Sequence, residues 1–352
     1  MPNSSHRNTL AWLALLLGLA AWPQVAAAQG PSIRIGEVVP RDVREIYDRG
    51  MQYLASSQTE AGDWKGSQQG PGVTGMCLMV FLASGEDPNF GIYSNHVRKA
   101  LRSMISQQNA DTGILGNSMY HHGFATLALA EAYGTVDDRN LWAGSEPNRR
   151  SIGQALELAA RAAITSQKKN SFGGWRYSPD SNDADTSVSG AVLMGLLAAR
   201  NAGIEVPDEV IDKAIKYYTQ MTSDSGQVGY SGGIGGGLDE SIPRISIATL
   251  VYAVVRRKDL PQFKATLNYL TERIEQSSQN HYLEYSRYYQ AQALFQGDVE
   301  AWEKWNKLLV RQLKSSQAAD GSISGQFGPA VGTSLSILAL ALNYRFLPIY
   351  ER

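Results

Sequence analysis

Two aspartates separated by one residue, Asp183 and Asp185, are the acids best placed for chemistry in this sequence. They lie in the stretch NDADT, directly before a strongly apolar segment. A carboxyl group at the start of a buried helix can act as a general acid, bind a polar ligand, or cap the helix by accepting a backbone hydrogen bond. The sequence leaves all three roles open, and capping is the simplest of them.

Two adjacent histidines, His121 and His122, precede another apolar segment. Adjacent residues of a helix point about 100° apart, so at most one of the pair faces a given cavity. This geometry disfavours a metal site built from both rings. One histidine can line a cavity as a polar group, and capping or packing is the alternative. We predict no metal and no cofactor.

Tyr282, Tyr285 and Tyr289 are spaced to share one helix face, where they can stack on a sugar ring, stabilise a cation, or simply pack. Glu284 and Arg287 lie close to these tyrosines in the sequence and can contribute to the same site; the alternative is that they are surface charges. The glycine-rich segment 226–244 predicts either a flap with Asp239 or Glu240 turned inward, or a flexible turn. The predicted ligand-binding residues are His121, His122, Tyr230, Glu240, Tyr285 and Arg287.

The elements that must position these residues repeat about every 50 residues along the chain. Each copy has an amphipathic helix ending near a Gln, a glycine-rich turn, and a second helix that is apolar almost all round. The fourth and fifth copies lack the Gln. Amphipathic helices are typical of an outer wall, and all-apolar helices must be surrounded by protein. We predict an all-α fold, an (α/α)6 toroid of six helical hairpins, with every inner-helix N-terminus at one mouth.

The N-terminus predicts an export signal over residues 1–28, with an apolar run and a small-residue stretch before the expected cleavage site. An uncleaved anchor is the alternative. Residues 29–44 form an approach segment, and residues 45–352 form the toroid. We therefore expect an extracytoplasmic protein, periplasmic or secreted, with no transmembrane span after signal removal.

Composition excludes several partners and sites. Lys and Arg number 32 against 33 Asp and Glu, a net charge of -1, so no overall field attracts nucleic acid. The single cysteine excludes a disulfide framework, a thiolate zinc cluster and an iron–sulfur centre within one chain. The partner expected is a small molecule, isoprenoid-like or a saccharide.

The repeated pattern of Gln, spacer, Gly and aromatic resembles the repeats of squalene and oxidosqualene cyclases and of protein prenyltransferases. It matches best in QTEAGDW, from Gln58 to Trp64, and in QAADGSI, from Gln317 to Ile323. The resemblance covers nearly the whole chain after the signal and implies a toroid. We expect the Gln amide to bond the turn backbone and tie the outer helix to the inner one.

The chemistry of these relatives is matched only in part. Class II terpene cyclases protonate an alkene with an Asp of a DxDD motif, and this resemblance points to Asp183 and Asp185. If the family's motif is aligned through the Thr that follows it, the proton donor falls on Ala184. If the motif is aligned through its first Asp, Thr186 replaces its last acid. The prenyltransferase zinc site and the thioester motif are not matched around Cys77.

Two classes of function follow. The favoured hypothesis is an exported, non-catalytic binding module that uses its cavity and mouth loops. The alternative is an enzyme on the same toroid. That enzyme is either a class II terpene cyclase-like protein using Asp183 or Asp185, or a glycan-cleaving enzyme pairing one of them with Asp239, Glu240 or Glu284.

Overall fold

A computed structural model describes residues 39–142, 149–232, 240–275, 282–344 and 347. Within these ranges there are twelve α-helices, one short 3-10 helix and no strand, only three isolated β-bridges. The helices are α1 (Arg41–Ser57), α2 (Pro71–Leu82), α3 (Ser94–Ser106), α4 (Met119–Ala132), α5 (Ile152–Lys168), α6 (Thr186–Asn201), α7 (Asp208–Met221), α8 (Ile242–Val254), α9 (Pro261–Glu272), α10 (Leu283–Gly297), α11 (Val299–Ser316) and α12 (Pro329–Ala341).

Odd-numbered helices are amphipathic and even-numbered helices are buried on almost all sides. In α5, Ala155 and Ala159 are buried while Glu157 and Arg161 form an ion pair in solvent. In α6, every residue from 188 to 199 is buried. The apolar periodicity therefore separates an outer from an inner layer of helices, as predicted.

The inner helices form a closed ring. Each contacts the next in the order α2, α4, α6, α8, α10 and α12, and α12 packs back against α2. The outer wall closes as well, because α11 contacts α1. The predicted all-α toroid of six hairpins is confirmed.

The repeated glutamines join neighbouring hairpins. In each of four copies, the Gln side-chain amide donates to the carbonyl of its own turn glycine and to a carbonyl of the next outer helix. The four pairs of acceptors are Gly62 and His96 for Gln58, Gly113 and Ala155 for Gln108, Gly173 and Val210 for Gln167, and Gly321 and Ile46 for Gln317. The predicted bond to the turn is present, but the second partner is the next outer helix and not the inner helix.

The aromatic residue of the repeat joins the turn to its own outer helix. The Trp64 indole donates to the Leu54 carbonyl, and the Trp175 indole donates to the Ala163 carbonyl. Both rings are 1% exposed. Each turn is thus held to its own outer helix by Trp and to the next by Gln.

The first helix begins at Arg41, inside the stretch that the sequence assigns to an approach segment. The predicted signal peptide, residues 1–28, lies outside the described residues. None of the helices in the described ranges is both long and apolar enough to cross a membrane.

Candidate active site at the mouth of the ring

The axis of the ring is filled by aromatic side chains. Tyr120 and Phe124 on α4 meet Tyr285 and Tyr289 on α10, the inner helix opposite. The centroids of Tyr120 and Tyr285 lie 5.6 Å apart, and Phe124 lies 6.4 Å from each of the two α10 rings. We call these four residues the axial plug. Tyr285, a predicted ligand-binding residue, belongs to this plug, and the hollow expected from the sequence is closed at this level.

Asp185 is buried at the start of α6, near the mouth. The residue is 0% exposed, and one carboxylate oxygen caps the helix by accepting from the Val188 amide at 2.8 Å. Its other oxygen, Oδ2, is buried and accepts no hydrogen bond. Capping therefore uses Oδ1 alone and leaves Oδ2 available to a ligand or a proton.

A single arginine links the two candidate acids. The Arg176 Nε lies 3.8 Å from Asp185 Oδ2, and its Nη1 lies 3.4 Å from Asp183 Oδ2. The Asp183 side chain is 52% exposed, whereas the Asp185 side chain is fully buried. The two carboxylates thus lie beside the same guanidinium group, but one faces solvent and the other is buried.

Burial raises the pKa of Asp185 to about 6, from a reference value of 3.8. The bond from the Val188 amide and the charge of Arg176 oppose that rise without cancelling it. A carboxyl group with this pKa is partly protonated near neutral pH and can donate a proton.

A cover formed by Tyr230 and Ser231 packs against Asp185 and Thr186 at the start of α6. The carbonyl oxygen of Tyr230 accepts from the Thr186 amide at 3.0 Å, and Ser231 forms a β-bridge with Asp185. The Tyr230 ring lies beneath two guanidinium groups, 5.4 Å from that of Arg176 and 5.9 Å from that of Arg244. Tyr230, predicted to bind ligand, therefore packs beside the acid pair.

The two histidines have different roles. His122 is 0% exposed, and its Nδ1 accepts from the Leu115 amide while Nε2 bonds the Ala159 carbonyl at 3.0 Å. Both ring nitrogens are used inside the protein, so the expectation that His122 binds ligand is corrected: it is a structural residue. The His121 ring is only partly buried and lies against Gly70, near the mouth.

Glu240 points to the outer wall. Its carboxylate accepts from the Tyr269 hydroxyl at 2.9 Å and lies 3.5 Å from Arg273 Nε, both on or next to α9. The expectation that Glu240 turns inward to pair with the aspartates is therefore corrected by these contacts. Asp239, the other flap acid, lies outside the described residues.

Arg287 and Glu284 are buried instead of lying on the surface. Arg287 is 8% exposed and donates to Ser336 Oγ. It shares one face of α10 with Leu283 and Gln290, and this face lies against α11. Glu284 is 2% exposed and accepts from the Phe327 amide. Arg287 therefore lies between the inner and outer walls and not beside the acid pair at the mouth.

The sequence interpretation missed Arg176, Tyr177 and Tyr217. Arg176 directly follows the turn tryptophan, so a cation in a turn that precedes two acids was the available signal. Tyr177 is 48% exposed, and Tyr217 is buried with a hydroxyl that has no hydrogen-bond partner. Burial raises the pKa of both phenols, and the negative charge of Asp185 adds to that rise.

No cluster of three or more potential metal ligands occurs among the described residues. Cys77 is buried on α2, and burial raises the pKa of its thiol.

Comparison with known proteins is informative for the fold alone. No protein-family profile and no curated protein sequence matches the chain. Solved structures do match. The type II terpene cyclase MstE from Scytonema is 13% identical, with a TM-score of 0.58 over 87% of this chain and 99% of that one. An α-1,6-mannanase from Salegentibacter is 11% identical, with a TM-score of 0.60 over 85% and 98% of the two chains.

An α-amylase from Clostridium perfringens is 10% identical, with a TM-score of 0.56 over 86% of this chain and 99% of that one. The toroid is therefore a fold shared with a terpene cyclase and with glycosidases.

Proposed function

We propose that the chain is a glycan-cleaving enzyme whose site lies at the mouth of the ring, with Asp185 as the general acid and Asp183 as the second carboxylate. The observation that carries the proposal is the arrangement of these two acids on Arg176. One is buried, with a pKa of about 6, and the other is half exposed.

Cleavage of a glycosidic bond requires one carboxyl group that is protonated and another that is ionised. The environment of Asp185 suits the first role, because burial retains its proton. Asp183 suits the second role, because it faces solvent beside a guanidinium and can attack the sugar or orient a water molecule. Both acids lie within 4 Å of the same guanidinium, 3.4 Å for Asp183 and 3.8 Å for Asp185, so their nearest oxygens are no more than about 10 Å apart, which is the upper limit of the separation that glycosidases use.

The shape of the site supports a saccharide better than a long isoprenoid. The axial plug fills the ring below the mouth, so a deep apolar pocket is replaced by a shallow polar surface. Tyr177 and Tyr282, 48% and 49% exposed, offer aromatic faces for sugar rings. Extracytoplasmic localisation, which the N-terminal sequence predicts, would place the site among polysaccharides.

Substrate access requires the cover to move. Asp185 Oδ2 is buried, and the segment that carries Tyr230 and Ser231 packs against this residue. Thr186 holds the segment through its amide, which donates to the Tyr230 carbonyl, and through its hydroxyl, which donates to the Gly229 carbonyl. A sugar that displaces the Tyr230 ring from Arg176 would reach both carboxylates. Lid movements of this kind are common where a reaction must exclude water.

A second candidate is supported by the motif itself. The resemblance to squalene cyclases and the DxD spacing of Asp183 and Asp185 favour an acid-initiated terpene cyclase, with Asp185 as a buried proton donor. The raised pKa weighs against this function, since protonating an alkene demands a stronger acid than protonating a glycosidic oxygen does.

The deciding experiment offers the purified chain to a panel of polysaccharides that includes α-1,6-mannan and α-1,4-glucan, with detection of new reducing ends. We expect turnover on at least one glycan, and a loss of at least 100-fold in Asp185→Asn. Asp183→Asn is expected to lose a similar factor.

Asp180→Asn is the matched control, because Asp180 is an exposed acid of the same turn that pairs with Lys169. Its activity should equal that of the wild type. Full activity in Asp185→Asn would contradict the proposal. Conversion of geranylgeranyl substrates without glycan cleavage would favour the cyclase, and glycan binding without cleavage would favour a non-catalytic module.

A further inference from the structure

A small cavity lies between the inner and outer walls at the fifth and sixth hairpins. One side is the α10 face that carries Ser286, Arg287 and Gln290, and the other side is α11 with Trp305 and Leu309. The cavity volume is about 10 Å³, which is room for one small particle. Gln312, also in the lining, is partly exposed, so the cavity is near the outer surface.

Three side chains around this cavity carry buried polar atoms without a partner. They are Ser286 Oγ, Arg287 Nε and Gln290 Nε2. The serine and the glutamine are each 1% exposed and the arginine is 8% exposed. Buried donors that bond nothing cost about 1 to 3 kcal/mol each, so three around one cavity indicate a missing acceptor.

The charge of Arg287 indicates which acceptor is missing. Its Nη1 donates to the neutral hydroxyl of Ser336, and no ion pair to Arg287 forms within the described part of the chain. Burial lowers the pKa of Arg287, and the charge of Glu284, whose Oε1 accepts from the Phe327 amide, offsets this only in part. A buried guanidinium without a direct counterion is costly, and an anion among the three donors would remove that cost.

We propose that this cavity binds a small monovalent anion, chloride in physiological salt. Arg287 Nε and Gln290 Nε2 can only donate, and the Ser286 hydroxyl can donate as a third ligand. A water molecule in the same place would accept from these donors but would add no negative charge beside the Arg287 guanidinium. The anion would join α10 to α11 and would be a structural ligand, separate from the acid pair at the mouth.

The direct test is a crystal of the wild-type protein in bromide, with data collected at the bromine absorption edge. We expect an anomalous peak between α10 and α11, within hydrogen-bonding distance of Arg287 Nε and Gln290 Nε2. Density without an anomalous peak in saturating bromide would show a water molecule and overturn the proposal.

A solution measurement gives independent support. At constant ionic strength, the wild type is expected to melt about 2 to 4 °C higher in sodium chloride than in sodium gluconate. Ser286→Ala should reduce this difference. Ser246→Ala is the matched control, because Ser246 is also a buried inner-helix serine with an unpartnered hydroxyl.

The control should keep the full chloride effect. Equal melting temperatures of the wild type in the two salts would contradict the proposal, as would an equal chloride effect in both serine variants. Neither measurement depends on whether the chain cleaves glycans.

Discussion

The side-chain amide of Gln167 lies 2.9 Å from the carbonyl oxygen of Val210, which belongs to the next hairpin. The same nitrogen lies 2.7 Å from the carbonyl of Gly173 in its own turn. One amide group therefore serves two backbone acceptors from consecutive repeats. Because four repeats share this arrangement, the glutamines connect neighbouring hairpins by the same pair of hydrogen bonds at four places in the ring.

Replacing Gln167 with leucine should destabilise the protein by about 2 to 4 kcal/mol, because two buried carbonyl groups lose their donor. Urea unfolding followed by circular dichroism measures the change. Gln220→Leu is the control, since Gln220 is exposed on the next outer helix, and it should change stability little. Equal effects of the two substitutions would show that the hydrogen bonds of Gln167 contribute nothing specific.

The closing turn of the ring depends on a glycine. Gly321 has φ of +88°, and a Cβ atom there would lie 2.2 Å from the Arg49 carbonyl oxygen of the first helix. We expect Gly321→Ala to cost about 3 kcal/mol or more, from backbone strain together with the collision. Gly134→Ala isolates the strain, because Gly134 has φ of +81° with nothing within 4 Å.

The alanine at residue 134 should cost about 1 to 2 kcal/mol. Thermal unfolding of both variants gives the comparison. If Gly321→Ala is no more harmful than its control, the contact between the last turn and the first helix is loose, in conflict with the closed ring.

Asp185 should make stability depend on pH in an unusual direction. Its pKa is about 6 in the folded state and 3.8 in the reference state, so folding favours the protonated form. Its stabilising contribution is complete below pH 3.8 and is lost as pH rises through 6. Asp185→Asn, which retains the helix cap, should therefore stabilise the protein by up to about 3 kcal/mol above pH 6 and have little effect at pH 4.

Melting temperatures of the wild type and Asp185→Asn between pH 4 and 8 test this expectation. A variant that is less stable than the wild type at pH 7 would mean that the ionised carboxylate is needed for folding. For the proposed glycan-cleaving activity of the wild type, the same pKa predicts a rate that declines as the pH rises above 6.

His122 should act in the opposite direction. Burial lowers the pKa of His122 from 6.5 to about 4, and the hydrogen bond to the Ala159 carbonyl opposes that fall only in part. The stability that it contributes is complete above pH 6.5 and is lost as pH falls through 4, a change of about 3 kcal/mol. His122→Gln should lower stability at pH 7 and flatten this acid dependence.

His121→Gln serves as the comparison, since the His121 ring is only partly buried. It should leave most of the acid dependence in place, as measured by urea unfolding at pH 4, 5 and 7. An unchanged acid dependence in His122→Gln would refute this role for His122.

Much of the fold could be predicted from the sequence, because the governing pattern is local and repeated. The two helix types differ in hydrophobic periodicity, which is visible in α5 and α6 without coordinates. The second acceptor of each Gln could not be predicted, since Gln167 and Val210 are brought together only by the packing of adjacent hairpins.

The candidate site could be predicted only in part. The place of Asp183 and Asp185 before an apolar helix predicts them as candidates, whereas the position of Arg176 in the preceding turn is only a weak signal, because its contact with both acids depends on how the turn folds. The burial of Arg287 and Glu284 could not be predicted either, because the contacts that bury a charged residue come from segments distant in the sequence. Glycine content alone could not indicate that the Glu240 carboxylate turns to the outer wall.

The join between the two ends of the chain has a consequence for how the protein is made. Gln317 bonds the Ile46 carbonyl, Arg49 bonds that of Ala318, and Lys314 pairs with Asp42. A ribosome produces the first of these partners long before the last. Until about residue 320 emerges, α1 lacks its neighbour on one side, so the nascent polypeptide exposes apolar surface that only the last hairpin covers.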